Sequence, residues 1–159
     1  MSKKIKVLFV CLGNICRSPL AEGAFQSLVD QRGLNHRFFV DSAGTNGFHD
    51  GESPDPRSIK EAAKNNIDID HQVSRQIQRR DLSDFDYIIA MDRSNQHHIA
   101  RMATGHDIPG LSLMMDELGG SGIDVPDPYY GGSDGFTQVW QMVHSACGAL
   151  LERILSEQS

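Results

Sequence analysis

Near the N-terminus an apolar run, Ile5–Val10 (IKVLFV), ends at Cys11, and a Ser18-Pro19 pair soon after it reads as a helix start. This limits the fold more than any other stretch. A short continuous run rich in apolar and β-branched residues reads as a strand buried on both faces. Ser at an N-cap with Pro in the first helical position opens a helix. The segment from Ser18 to Gly33 then reads as that helix, with Leu20, Ala24, Phe25 and Leu28 on one face and Gly33 as its stop.

The alternation continues along the chain. FFVDSAGT (38–45) and DYIIAM (86–91) predict a second and third strand, and LSLMM (111–115) a weaker fourth. Helices are expected from Asp55-Pro56 onward, over RSNQHHIARMA (93–103), and over 131–155, where Phe136, Val139, Trp140, Val143, Cys147, Leu150 and Ile154 form an apolar stripe. Strands alternating with helices imply an α/β fold with a parallel sheet. Ligands of such folds sit at the carboxyl ends of the strands, where strand order reverses. With the first strand central, CLGNICRS (11–18) lies at that place.

The loop has the chemistry for such a position. Amides at a helix start are unpaired. Gly13 and Asn14 tolerate the left-handed backbone angles of a tight turn. Such a loop curls its amides around an anion, and Arg17 adds a fork that grips two phosphate oxygens. The same positive field is expected to hold Cys11 as a thiolate near neutral pH, in line with a phosphoryl group. An aryl phosphate must also expel a phenolate, so an acid is wanted opposite the sulfur. VPDPYYGG (125–132) offers one: Asp127 stands between two prolines that fix their own φ, and Tyr129 and Tyr130 supply aromatic walls.

Bulk properties narrow the function. A formal charge of −6 argues against nucleic acid as the main partner. The basic-then-apolar start is too short for a signal peptide and has no small-residue cleavage site, and no segment is long enough to span a membrane. Three cysteines, an odd number, point to reduced thiols and a cytoplasmic setting rather than a disulfide framework. His97 and His98 are adjacent and so face different ways, His106 falls in a loop, and no Cys-x-x-Cys is present. These histidines read as solvated, and no metal is expected. Cys147 reads as core. Asp92, after the third strand, either caps the next helix or lines the cleft, with capping favoured.

The chain is similar to the low-molecular-weight protein tyrosine phosphatases. The resemblance runs through VLFVCLGNICRSPLAEGAF, DSAGT, SPDPR, DHQVSRQI, DYIIAMDRSN and DPYY, in the family's order and over most of the chain. Other cysteine phosphatases, the dual-specificity enzymes included, usually carry His before the Cys and place it late in the domain; here Val10 precedes Cys11 and the acid follows. Rhodanese-like sulfur transferases would not explain DPYY.

The expected architecture is one three-layer domain over residues 1–159, with a four-stranded parallel sheet in the order 2-1-3-4 and helices on both faces. The resemblance implies a phosphotyrosine phosphatase in which Cys11 becomes a phosphocysteine. The backbone of Leu12, Gly13, Asn14, Ile15, Cys16, Arg17 and Ser18 binds phosphate, and Asp127 serves as acid and then base. It further implies that Ser18 donates to the Cys11 sulfur, that Asn14 holds the loop with Ser42 and His71, and that Leu12, Phe48, Tyr129 and Tyr130 line the cleft. Phe48 stands where many members carry Trp, which leaves peptide preference open. Cys16 matches a second loop cysteine that pairs with the nucleophile under oxidation. No cofactor is implied. The expected partners are a tyrosine-phosphorylated protein and tetrahedral oxyanions such as phosphate, with the chain a monomer or weak dimer.

Three alternatives remain at this point. Arsenate reductases of this scaffold relay oxidation through two further cysteines, and Cys147 alone does not supply them. Protein arginine phosphatases typically have Thr where this chain has Ile15, and tend to lack the double aromatic after Asp-Pro. A non-catalytic phosphotyrosine-binding module would bind stoichiometrically and release no phosphate.

Overall fold

The computed structural model describes residues 3–120 and 122–159. Four strands, β1 (Ile5–Cys11), β2 (Phe38–Gly44), β3 (Tyr87–Ala90) and β4 (Leu111–Leu113), form one sheet in the order β2-β1-β3-β4, with every pairing parallel. The helices are α1 (Arg17–Gln31), α2 (Pro56–Lys64), α3 (Asp81–Asp84), α4 (Arg93–Met102) and α5 (Ser133–Glu157).

The sheet is buried on both sides, as the apolar run Val7–Cys11 of β1 requires. Val7 and Phe9 project into one core with Leu20 and Phe25 of α1 and Val143, Leu150 and Ile154 of α5. Leu8 and Val10 project into the other with Phe85, Ile88 and Ile99. This alternation is the period-two geometry of a strand. All seven stripe residues expected in α5 are buried. On α1 the burial centres on Leu20, Ala24, Phe25 and Val29, with Leu28 only partly covered.

The start of α1 differs from expectation. The helix begins at Arg17 with Cys16 in the cap position, and no side chain caps it. Ser18 is not the N-cap; its hydroxyl faces the Cys11 sulfur instead. The C-terminal stop is as expected: Gly33 adopts φ 66°, and the Gly33 and Leu34 amides return to the carbonyls of Asp30 and Val29. That is a left-handed closure which glycine adopts without strain. The fourth strand is shorter than expected. Met114–Leu118 coils into a 3-10 turn that buries Met114 and Met115. The four-residue α3 has no sequence signal of its own.

Strand order reverses at β1, which joins β2 on one side and β3 on the other. The loops after β1 and β3 therefore open onto one crevice. The segment before α5 reaches the same place, because the Val125 amide donates to the Met91 carbonyl at 2.9 Å.

Candidate active site

The loop from Cys11 to Ser18 takes its shape from its carbonyls. Those of Cys11 and Leu12 accept from the amides of Thr45 and Asn46, and that of Ile15 from the amide of Asp55. The Asn14 carbonyl accepts from the Ser74 hydroxyl at 2.6 Å, and the Cys16 carbonyl from the Ser58 hydroxyl at 3.2 Å. With these carbonyls tied outward, the amides of 12–16 make no hydrogen bond among the described residues. They form a ring of donors at the N-terminal end of α1, where the helix dipole adds to their pull on an anion. Gly44 lies directly against this turn: a Cβ there would stand 2.8 Å from the Leu12 oxygen and 3.0 Å from the Gly13 carbonyl carbon, so a side chain would displace the loop.

Asn14 is the keystone. It adopts φ 58°, a left-handed conformation that Asn tolerates better than most residues. The Arg75 amide donates to its Oδ1 at 3.1 Å, which turns Nδ2 toward the serines. Nδ2 donates to Ser18 Oγ at 2.8 Å and to Ser42 Oγ at 2.9 Å. Ser42 in turn donates to Glu22 at 2.6 Å. The Asn14 amide thus fills one acceptor site on Ser18, whose Oγ lies 3.0 Å from the Cys11 sulfur. His71 does not take part. It is exposed, with Asp68 and Asp70 close by. Ser74 and the Arg75 amide do the work expected of it. Neither carries a sequence signal, since both act by contact from an irregular segment.

Cys11 lies at the bottom of the crevice, 2 % exposed. Arg17, equally buried, donates from Nη1 to Asp92 at 2.6 Å and to the Val125 carbonyl at 3.0 Å. Its Nη2 is 3.6 Å from the Asp127 carboxylate. Burial works against the Arg17 charge, but the Cys11 sulfur, Asp92 and Asp127 outweigh it and raise its pKa. Of its two expected roles Asp92 takes the cap, since its other oxygen accepts from the Asn95 amide at the start of α4; it does not line the cleft but backs the Arg17 that does. Cys16 is held as a neutral thiol: burial first, then the Asp55 carboxylate, push its pKa far up. The two loop cysteines therefore differ in kind. Cys11 lies against the Ser18 hydroxyl, whereas Cys16 packs with Ile15 and Phe136.

Leu12, Phe48, Asp127, Tyr129 and Tyr130 line one cleft of about 230 Å³ with Cys11 and Arg17 at its floor. The rim is apolar yet open: Phe48 is 84 % exposed and Tyr130 93 %. Asn46 and His49 also line it, two residues that the sequence did not single out. The expected site residues, His71 excepted, thus converge on the cradle, its supports and the cleft above it.

Residues 6–159 match the family described as low molecular weight phosphotyrosine protein phosphatase. A Streptomyces coelicolor low molecular weight protein-tyrosine-phosphatase is 41 % identical over 153 residues, covering 94 % of this chain and 93 % of its own. The crystal structure of YfkJ from Bacillus subtilis superposes with a TM-score of 0.94 at 40 % identity, covering 99 % of each chain. A Drosophila arginine phosphatase superposes with a TM-score of 0.86 at 33 % identity, covering 94 % of this chain and 98 % of its own. A match over nearly the whole length, in sequence and in structure, shows that the chain belongs to the low molecular weight phosphotyrosine protein phosphatase family.

Proposed function

We propose that the protein hydrolyses phosphotyrosine in proteins through a phosphocysteine. The Cys11 thiolate attacks phosphorus, an S–P bond forms and the P–O bond to the phenol breaks. Asp127 gives its proton to the departing oxygen. A water that passes a proton back to Asp127 then attacks phosphorus, the S–P bond breaks, and inorganic phosphate leaves with Cys11 again a thiolate. The loop amides and Arg17 hold the equatorial oxygens throughout, and Ser18 donates to the sulfur as it departs. One observation carries this reading: Cys11, Arg17 and Asp127 line the same cleft, with the Asp127 carboxylate 3.6 Å from the Arg17 guanidinium.

The aromatic and aliphatic rim favours a flat ring over an aliphatic phosphate ester, because a short phosphoserine leaves the thiol out of reach at the cleft floor. Ile15 in the loop and the paired Tyr129 and Tyr130 favour phosphotyrosine over phosphoarginine. Cys16, packed in the same loop as Cys11, is suited to pair with it on oxidation. The three thiols are free, and the nucleophile works only when reduced, which fits a cytoplasmic setting. No helix among the described residues is long and apolar enough to cross a membrane.

The test is phosphate release from matched phosphotyrosine, phosphoarginine and phosphoserine peptides. Phosphotyrosine should dominate, and Cys11→Ser should lower turnover by more than about 10⁴-fold while still binding inorganic phosphate. A dominant phosphoarginine activity, or turnover that survives Cys11→Ser, overturns the reading.

A further inference from the structure

The SPDPR stretch (53–57) has no part in the chemistry described so far, yet its arginine touches the acid loop. Arg57 Nη2 donates to the Tyr129 carbonyl at 3.0 Å and Nη1 to the Gly131 carbonyl at 3.3 Å. On its other side the guanidinium forks onto Asp55, with Nε to Oδ1 at 3.0 Å and Nη2 to Oδ2 at 2.9 Å. It also lies over two rings, 5.6 Å from that of Tyr129 and 4.6 Å from that of Phe136. Asp55 is itself fixed: its carboxylate caps α2 by accepting from the Arg57 amide at 2.8 Å, and its own amide donates to Ile15 of the phosphate loop. Ser58, one residue on, holds the Cys16 carbonyl. Burial opposes the Asp55 charge, but the bonds from Arg57 outweigh it and hold the carboxyl below its ordinary range.

The first turn of α2 therefore grips both halves of the site. Asp127 itself has few contacts: Arg17 at 3.6 Å and the Tyr129 amide at 3.1 Å. The loop that carries it is anchored upstream at Val125 by Arg17 and the Met91 carbonyl. Downstream it is anchored at Tyr129 and Gly131 by Arg57. We infer that Arg57 is a positioning residue for the general acid, a strut that sets the height of the Asp127 carboxyl above the phosphate loop by clamping the Tyr129 and Gly131 carbonyls onto Asp55. This rests on the reading of Asp127 as the acid. A guanidinium is needed because one planar group must meet a carboxylate and two carbonyls at once, which an ammonium does not do.

A strut for the acid affects proton delivery and leaves phosphate binding alone. The experiment follows hydrolysis of aryl phosphates of graded leaving-group acidity, from phosphotyrosine to a dinitrophenyl ester, by the wild-type protein, Arg57→Ala, Arg57→Lys, Asp127→Asn and the Arg57→Ala/Asp127→Asn pair. Arg57→Ala should lose about 10–100-fold in kcat/KM, which reports the step that expels the phenol, on phosphotyrosine and less than about threefold on the dinitrophenyl ester, the scale expected of a small misplacement. Inhibition by inorganic phosphate should change by less than about twofold. Arg57→Lys should resemble Arg57→Ala, and carries the same comparison if the alanine variant does not fold. In the Asp127→Asn background Arg57→Ala should cost nothing further in kcat/KM. An equal loss on all esters, weakened phosphate inhibition, full recovery by lysine, or additive losses in the double variant overturns the strut. If Asp127→Asn itself fails to separate the esters, the reading of Asp127 falls instead.

Discussion

The two loops that meet across the cleft are built in opposite ways. The phosphate loop is largely buried, with Leu12 exposed, its carbonyls are tied to three separate segments of chain, and Asn14 completes it from within. The acid loop lies on the surface, stiffened by Pro126 and Pro128 and clamped at two places, with Tyr130 almost fully exposed. The difference follows from what each must meet. The phosphoryl group is the same in every substrate, so its cradle gains from being fixed. The peptide around a phosphotyrosine varies, so the wall beside it gains from being open. Rigidity is placed where the chemistry is constant.

Substitutions can break or sharpen that contrast. The largest effect is expected in the cradle. Asn14→Ala removes a residue suited to φ 58° and orphans the Arg75 amide, so it should destabilise the protein by about 2–4 kcal/mol in urea denaturation. It should also slow all aryl phosphates alike, whereas a fault in the acid loop is selective for poor leaving groups. A selective loss from Asn14→Ala would dissolve the division of labour between the loops.

A smaller effect concerns the outer end of the cradle's support. Burial lifts the Glu22 carboxyl to about 7, against the hydrogen bond from Ser42 that favours its charge. A carboxyl that holds its proton more tightly folded than unfolded costs stability as it ionises. The loss develops as pH rises from the unfolded value, roughly 4.3, to the folded one. Glu22→Gln should therefore gain on the wild type between about pH 5 and about pH 8, by at most roughly 4 kcal/mol. Thermal melts across that range measure it, and a gap independent of pH would show that Glu22 does not titrate there.

The smallest effect belongs to the rim. Tyr130→Ala should leave stability within about 0.5 kcal/mol and raise KM for a phosphotyrosine peptide by up to about tenfold, with kcat retained. A large fall in kcat would mean that the rim, like the cradle, is a fixed part of the machinery.

The sequence makes the reacting groups plain and their supports obscure. Cys11, Arg17 and Asp127 are legible because strand end, helix start and paired prolines are local signals. The central place of the first strand is legible because its Val7–Val10 stretch is apolar throughout. Ser18 shows where local signals mislead. Ser-Pro reads as a cap, but the hydroxyl has two suitors, and the sulfur with the Asn14 amide wins over the helix end. His71 shows the limit of resemblance, for the support comes from Ser74 and the main chain of Arg75, a few residues along. Arg57 is invisible in the sequence for a related reason. Its partners on the acid loop are carbonyls, which every residue has, and they lie more than 70 positions away.

The Arg75 amide carries one more consequence. It is a main-chain donor, and it decides which end of the Asn14 side chain faces the serines. Mutation at position 75 can exchange the side chain freely without erasing that instruction. Proline alone would delete it, so the orientation of the Asn14 amide is recorded in backbone that drift in side chains passes over.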